Sequence, residues 1–252
     1  MKREHLLLFL IFFLAFILRI GVAILASLDP NVELGDISTV KNWSGDLLQN
    51  GFAGFYERGQ FFPYPPLANY IFYFLAFITN VFNFSLHSVL AGVIYRLPNI
   101  FADLFIGWIL YLLGQRKSLW ISVIYLFTPA VWYISSYWGQ WDSIMTMFLV
   151  ISFYLAYSRK VFLSLLFWLL AFLIKPQALP FIFPLLGMHW GSKKLAKVAI
   201  SSLVTVGIFL LFYHPFFLES RPAIRPRNTG RVFFEPRGEL HRYVVALIRN
   251  LF

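Results

Sequence analysis

Apolar runs of membrane-spanning length recur along this chain and leave few folds open to it. Residues 6–28 are almost unbroken apolar, and further runs occupy 66–84, 87–113, 119–137, 143–157, 161–190 and 198–218. A bilayer core about 30 Å thick takes roughly 20 such residues per helix. Only helices and closed barrels satisfy their own backbone polar groups there. With 60% hydrophobic and 13% charged residues, the chain carries more apolar surface than a soluble domain of 252 residues buries. The expected class is all-α, a polytopic transmembrane helical bundle of about 7–8 membrane segments.

The formal net charge of +10 suggests a nucleic-acid partner at first sight. The cations, however, sit in short clusters between apolar runs: Lys2-Arg3, Arg116-Lys117, Arg159-Lys160, and Lys193-Lys194 with Lys197. That is the pattern of cytoplasmic span ends, so membrane lipids and not nucleic acid are the expected surroundings. The chain has no cysteine, which excludes a disulfide framework, a thiol nucleophile and a cysteine-ligated metal.

Between the first run and the rest lies a polar island, residues 29–66, holding Asp29, Glu33, Asp36, Asp46 and Glu57, five of the eleven acids. A basic start before residues 6–28 also fits a cleaved signal peptide. The run is long enough to span and more spans follow, so an uncleaved first helix with a cytoplasmic start is expected. The island is then a large first extracytoplasmic loop. Within it, Ile37, Val40, Trp43 and Leu47 have helical spacing and predict an amphipathic interfacial helix over 37–48. Gly51 and Gly54 break it, aromatic residues from Phe52 to Tyr64 anchor the interface, and Pro65-Pro66 starts the next helix.

Charge parity then constrains topology. If 66–84 and 87–113 both cross, Arg116-Lys117 falls outside, against the charge rule. The expectation is that 66–84 is re-entrant or incomplete. Residues 161–190 are broken near Lys175-Pro176-Gln177, which predicts two short helices meeting at an outward turn. The chain thus divides into a transmembrane module, 1–218, and a basic extracytoplasmic tail, 219–252, with Arg221, Arg225, Arg227, Arg231, Arg237 and Arg242.

Several polar residues are candidates for chemistry, each beside a plainer role. Asp36 could take a proton from an attacking hydroxyl, or be a solvated loop acid or helix cap. Asp142, flanked by Trp138, Gln140 and Trp141, is a carboxylate at a span boundary, where such groups are costly and functional; its plainer role is again a cap. Arg96 and Asp103 share a helix face two turns apart and belong to a polar network or to a substrate contact. Lys175 snorkels to the interface or meets a lipid phosphate. Asp46 reads as solvated or structural. The five histidines have no metal-ligand spacing, and no Gly-rich phosphate loop supports a soluble nucleotide-sugar donor.

Taken in order, Gly35-Asp36, Trp43…Gly51…Phe55-Tyr56, Tyr64-Pro65-Pro66-Leu67, Arg96-Leu97-Pro98-Asn99…Asp103, Trp138-Gly139-Gln140-Trp141-Asp142-Ser143 and Lys175-Pro176-Gln177 resemble the polytopic GT-C glycosyltransferases. The resemblance is nearest to the prokaryotic mannosyltransferase-like proteins related to GPI-anchor mannosyltransferases, and it covers about residues 1–215. It implies a hexosyltransferase with a polyprenyl-phosphate-linked sugar donor and a lipid, glycan or protein acceptor at the extracytoplasmic face. Asp36 would be the general base of an inverting transfer. Asp142, Gln140, Lys175, Arg96, Asp103 and Tyr64 would contact substrate. Lys175 or a tail arginine would steady the donor phosphate. Some relatives use a divalent cation, so the resemblance leaves a divalent cation open here. Family members are usually longer, so an inactive fragment of a longer transferase is one alternative. A lipid-linked saccharide transporter is another, although midplane charges and repeat symmetry, expected of a transporter, are not evident.

Overall fold

A computed structural model describes residues 3–33, 35–58, 64–114, 118–189 and 195–217. The tail 219–252 and the clusters Arg116-Lys117 and Lys193-Lys194 lie outside the described residues. Among the described residues every regular element is helical. The helices are α1 (Arg3–Leu28), α2 (Pro30–Glu33), α3 (Asp36–Asn50), α4 (Pro66–Val81), α5 (Val89–Leu113), α6 (Ser118–Phe127), α7 (Pro129–Trp132), α8 (Asp142–Tyr157), α9 (Val161–Ile174), α10 (Ile182–His189) and α11 (Leu195–Phe217).

Three helices among the described residues are long and apolar enough to cross a membrane, within α1, α5 and α11. A fourth span results if α6 and the segment Pro129–Trp138, bent by 52° at their junction, count as one. This is fewer than the 7–8 segments the apolar runs suggested. The reason is length: α4, α8 and α9 have 16, 16 and 14 residues, about 21–24 Å at 1.5 Å per residue, against a core of about 30 Å.

Side-chain pairs set the direction of each helix. Phe12 meets Trp108, Arg19 meets Asp103 and Ser27 meets Arg96, so α1 and α5 are antiparallel. Gly92 lets them close, since a Cβ there would stand 2.2 Å from Ser27 Oγ. Ser122 and Tyr125 of α6 bond to Gly107 O and Asp103, which returns the chain towards the acidic loop. Asp142–Lys175 and Ser152–Ser164 make α8 and α9 antiparallel. The break expected near Lys175 is present: Lys175 is extended (φ −146°, ψ 133°), and a 3-10 turn over Pro176–Phe181 leads into α10.

The amphipathic helix forms as α3, with Ile37, Val40, Trp43 and Leu47 all buried. Each contributes about 1.5–3 kcal/mol relative to exposure. Its partner is α4, which starts at Pro66 as expected. Both ends of α4 stay near α3: Tyr64 before it packs on Trp43 with ring centres 6.0 Å apart, and Leu86 after it lies against Gly45. Helices α3 and α4 pack together as one layer. An aromatic core of Phe55, Tyr64, Phe72, Trp141 and Phe216 joins this layer to α8 and α11. Arg58 holds the intervening loop, bonding to Asp46 Oδ2 and to the carbonyls of Gly51 and Ala53. That assigns Asp46 the structural role.

Candidate active site

The site forms where α3, the segment after α7, the start of α8 and the end of α9 meet. Asp36 is the first residue of α3, where the helix dipole favours a carboxylate. It is exposed, and Gly35 takes the cap position, so Asp36 is not the cap. Its Oδ2 accepts from Trp138 Nε1 at 2.9 Å and from Gln140 Nε2. Both of these bonds fall on one oxygen.

Trp138 and Gln140 reach Asp36 because residues 133–138 form a turn of π-helix that ends at Gly139. Such turns are rare and recur at functional sites. Gly139 has φ 78°, and its N–H and that of Gln140 both donate to Ile134 O, at 3.1 and 3.0 Å. A side chain there would add left-handed strain and would stand 3.1 Å from Ile37 Cδ1. Trp141 is fully buried edge-on to Phe72, with centroids 4.6 Å apart, and so fixes the start of α8.

Gln140 links two halves of the site. Its Oε1 accepts from Lys175 Nζ at 3.1 Å and from the Tyr64 hydroxyl at 3.4 Å. Lys175 is buried, donates to Asp142 Oδ1 at 2.8 Å, and stands 5.7 Å from the Tyr64 ring centre. Burial, and then the negative charges of Asp142 and Asp36, raise the Tyr64 pKa, so its hydroxyl stays protonated and can donate. Asp36, Gln140, Asp142, Lys175 and Tyr64 are thus brought together.

The other two expected residues are placed differently. Arg96 lies behind the site: its Nε and Nη2 donate to Tyr137 O at 3.3 and 3.1 Å, and its Nη1 to Ser27 Oγ and Gly92 O. It holds the π turn from below. Asp103 is not at the site. It is fully buried, paired with Arg19 Nε at 3.2 Å and bonded to the Tyr125 hydroxyl. Of its two expected roles its partners fit the polar network and not the substrate contact, since a carboxylate inside the bundle needs a cation close by.

Sequence reasoning missed three partners. Arg19 interrupts the first apolar run, a signal that a charge within a span needs a partner. Glu33 pairs with Lys41 and lies 3.8 Å from Arg96; nothing in its spacing indicates this. Asp29 Oδ2 accepts from the Tyr137 hydroxyl at 3.1 Å. Together Asp29, Glu33 and Arg96 tie the acidic loop to the π turn.

Among the described residues no group of three or more His, Cys, Asp or Glu could hold a metal ion. The nearest carboxylates, Asp36 and Asp142, are each engaged by nitrogen donors. The described residues around the site therefore do not fit a divalent cation. No family model, curated protein or solved structure matches the chain.

Proposed function

We propose that the chain is a membrane-embedded glycosyltransferase that moves a sugar, mannose foremost, from a polyprenyl-phosphate donor to an acceptor hydroxyl at the extracytoplasmic face. The observation that carries this reading is the Asp36–Gln140–Lys175 chain of hydrogen bonds. It holds an exposed carboxylate and a buried cation within one amide of each other. Inverting transfer needs both: a base for the acceptor proton, and a positive group for the phosphate that leaves.

In this reading Asp36 takes the proton from the acceptor hydroxyl as its oxygen attacks the anomeric carbon from the face opposite the phosphate. The bond from that carbon to the phosphate oxygen breaks, and the negative charge passes to the polyprenyl phosphate. Lys175 donates to that phosphate, trading part of its bond with Asp142. Trp138 and Gln140 keep Asp36 pointed at the acceptor. Arg96 acts through the Tyr137 carbonyl as a positioning residue.

The proposed topology is polytopic, about seven segments with α3 and α4 lying on the outer face. Two features support it. The residues flanking α4 stay beside α3, which is compatible with the charge parity, and Arg159-Lys160 stands at the end of α8 and α9 opposite Asp142 and Lys175.

The test is transfer of labelled sugar from a polyprenyl-phosphate donor in proteoliposomes, with wild type beside Asp36→Asn. Product from the wild type alone, at equal folding, supports the reading. Equal product from both removes Asp36 from the mechanism. No product from either, with vesicles that exchange lipid-linked saccharide, favours a transporter.

A further inference from the structure

At the end of α9 remote from the candidate active site lies an open cavity of about 330 Å³, between the start of α9 and the second turn of α11. Arg159, Lys160, Phe162, Leu163, Ile200 and Ser201 line it. We infer that this cavity binds the phosphodiester headgroup of an anionic phospholipid. The proposal is independent of the transferase reading, since α9's 14 residues separate it from Lys175 by about 21 Å.

The lining divides by chemistry into two zones. Arg159 and Lys160 are both exposed, and among the described residues no acid lines the cavity. Phe162, Leu163 and Ile200 are 40%, 38% and 62% exposed, and Leu203, one turn further along α11, is 72% exposed. A ligand that fits must carry negative charge at one end and hydrocarbon at the other. Free phosphate has no use for the apolar wall, and a neutral lipid has none for the cation pair.

The backbone that carries both cations is fixed, and the Arg159 side chain is oriented as well. Helix α8 ends in a turn in which Arg159 N donates to Ala156 O and Lys160 N to Leu155 O, both at 2.9 Å. This puts Arg159 in the left-handed region, φ 57°, a conformation that a residue with a side chain rarely adopts. One guanidinium nitrogen donates to Met188 O at 2.8 Å, which ties the side chain to α10. A guanidinium has five donors in a fixed fork, so one such bond orients it and leaves others for phosphate oxygens. The first amides of α9, with no side-chain cap, add partial positive charge at the same place. In sequence, Lys193, Lys194 and Lys197 immediately precede the part of α11 that forms the far wall. Basic pockets between helices on the side where basic clusters gather are the setting in which anionic headgroups concentrate.

The test uses the full chain in nanodiscs of phosphatidylcholine, titrated with phosphatidylglycerol. Lipid retained after partial delipidation is counted by native mass spectrometry, and thermal unfolding is followed in parallel. The expected result is selective retention of phosphatidylglycerol and a rise in unfolding temperature. Lys160→Gln should weaken retention about five-fold, and Arg159→Gln with Lys160→Gln about twenty-five-fold, each lost cation near the surface weighing similarly. Because Arg159→Gln could disturb the α8–α9 turn, Lys160→Gln alone is the deciding variant. The comparison is Arg116→Gln with Lys117→Gln, which removes as much charge elsewhere in the chain. Undiminished retention in Lys160→Gln, a loss from the Arg116/Lys117 pair as large as that from the Arg159/Lys160 pair, or an equal thermal rise with inorganic phosphate, overturns the proposal.

Discussion

The indole nitrogen of Trp138 lies 2.9 Å from Oδ2 of Asp36, joining a π turn to the start of α3, 102 residues earlier. The carboxylate is exposed, yet its direction is set by a rigid aromatic. Substituting Asp36→Asn should lower transfer by about 10²–10⁴-fold, the usual weight of a general base. Thermal unfolding should stay within about 0.5 kcal/mol of wild type, as for most surface changes. A large loss of stability in parallel would make Asp36 structural.

Arg96 donates twice to the Tyr137 carbonyl and stands 3.8 Å from Glu33. Arg96→Met leaves that carbonyl and part of the Glu33 charge without a donor, at a cost of about 1.5–3 kcal/mol. Transfer should fall through the turnover rate, with donor binding little changed, because the turn that aims Gln140 loosens. Donor titrations beside turnover measurements separate this from a direct substrate contact.

Gly139 can be probed by a single methyl. Gly139→Ala forces a left-handed alanine at φ 78° and a Cβ 3.1 Å from Ile37 Cδ1. The backbone term alone is about 1–2 kcal/mol. Unfolding in detergent should shift downward by that amount or more, and a neutral result would show that the turn relaxes elsewhere.

The Arg19–Asp103 pair is fully buried. Arg19→Met leaves an uncompensated carboxylate and should cost about 3–5 kcal/mol, whereas Arg19→Met with Asp103→Leu should recover most of the loss. Thermal unfolding of the three proteins checks this. If the double variant is no better than the single one, the pair's hydrogen bonds matter more than its charge balance.

Burial lowers the pKa of Lys41 from its ordinary 10.5, although Glu33 opposes the shift. Between the lowered folded value and 10.5, the unfolded chain holds a proton that the folded chain has released. Stability from this group therefore rises with pH across that window and levels off above it. The difference in unfolding temperature between wild type and Lys41→Met should move in favour of the wild type as pH rises towards 10.5. The opposite trend would mean that Glu33 outweighs burial.

Sequence alone determined the local elements. The spacing of Ile37, Val40, Trp43 and Leu47 specifies which face of α3 is buried, Pro66 marks the start of α4, and Lys175-Pro176 marks the break after α9. These rest on nearest-neighbour physics: helical periodicity, a missing proline amide, and the cost of polar groups in an apolar run. Asp36 and Asp142 stand out as carboxylates beside apolar segments and Lys175 as a cation at the break of one, while Gln140 and Tyr64 enter as substrate contacts only through the family resemblance.

Only the tertiary structure decided their partners. Arg96 and Asp103, seven residues apart on one helix, separate into a clamp beneath the site and an ion pair within the bundle. What separates them is which helix faces each: the end of α1 and the π turn for Arg96, the middle of α1 and α6 for Asp103. Likewise Glu33 has no partner at helical spacing but meets Lys41 and Arg96 once α2 folds back on α3 and α5. The pairing of buried charges depends on how helices distant in sequence come together, and periodicity within one helix carries no information about that.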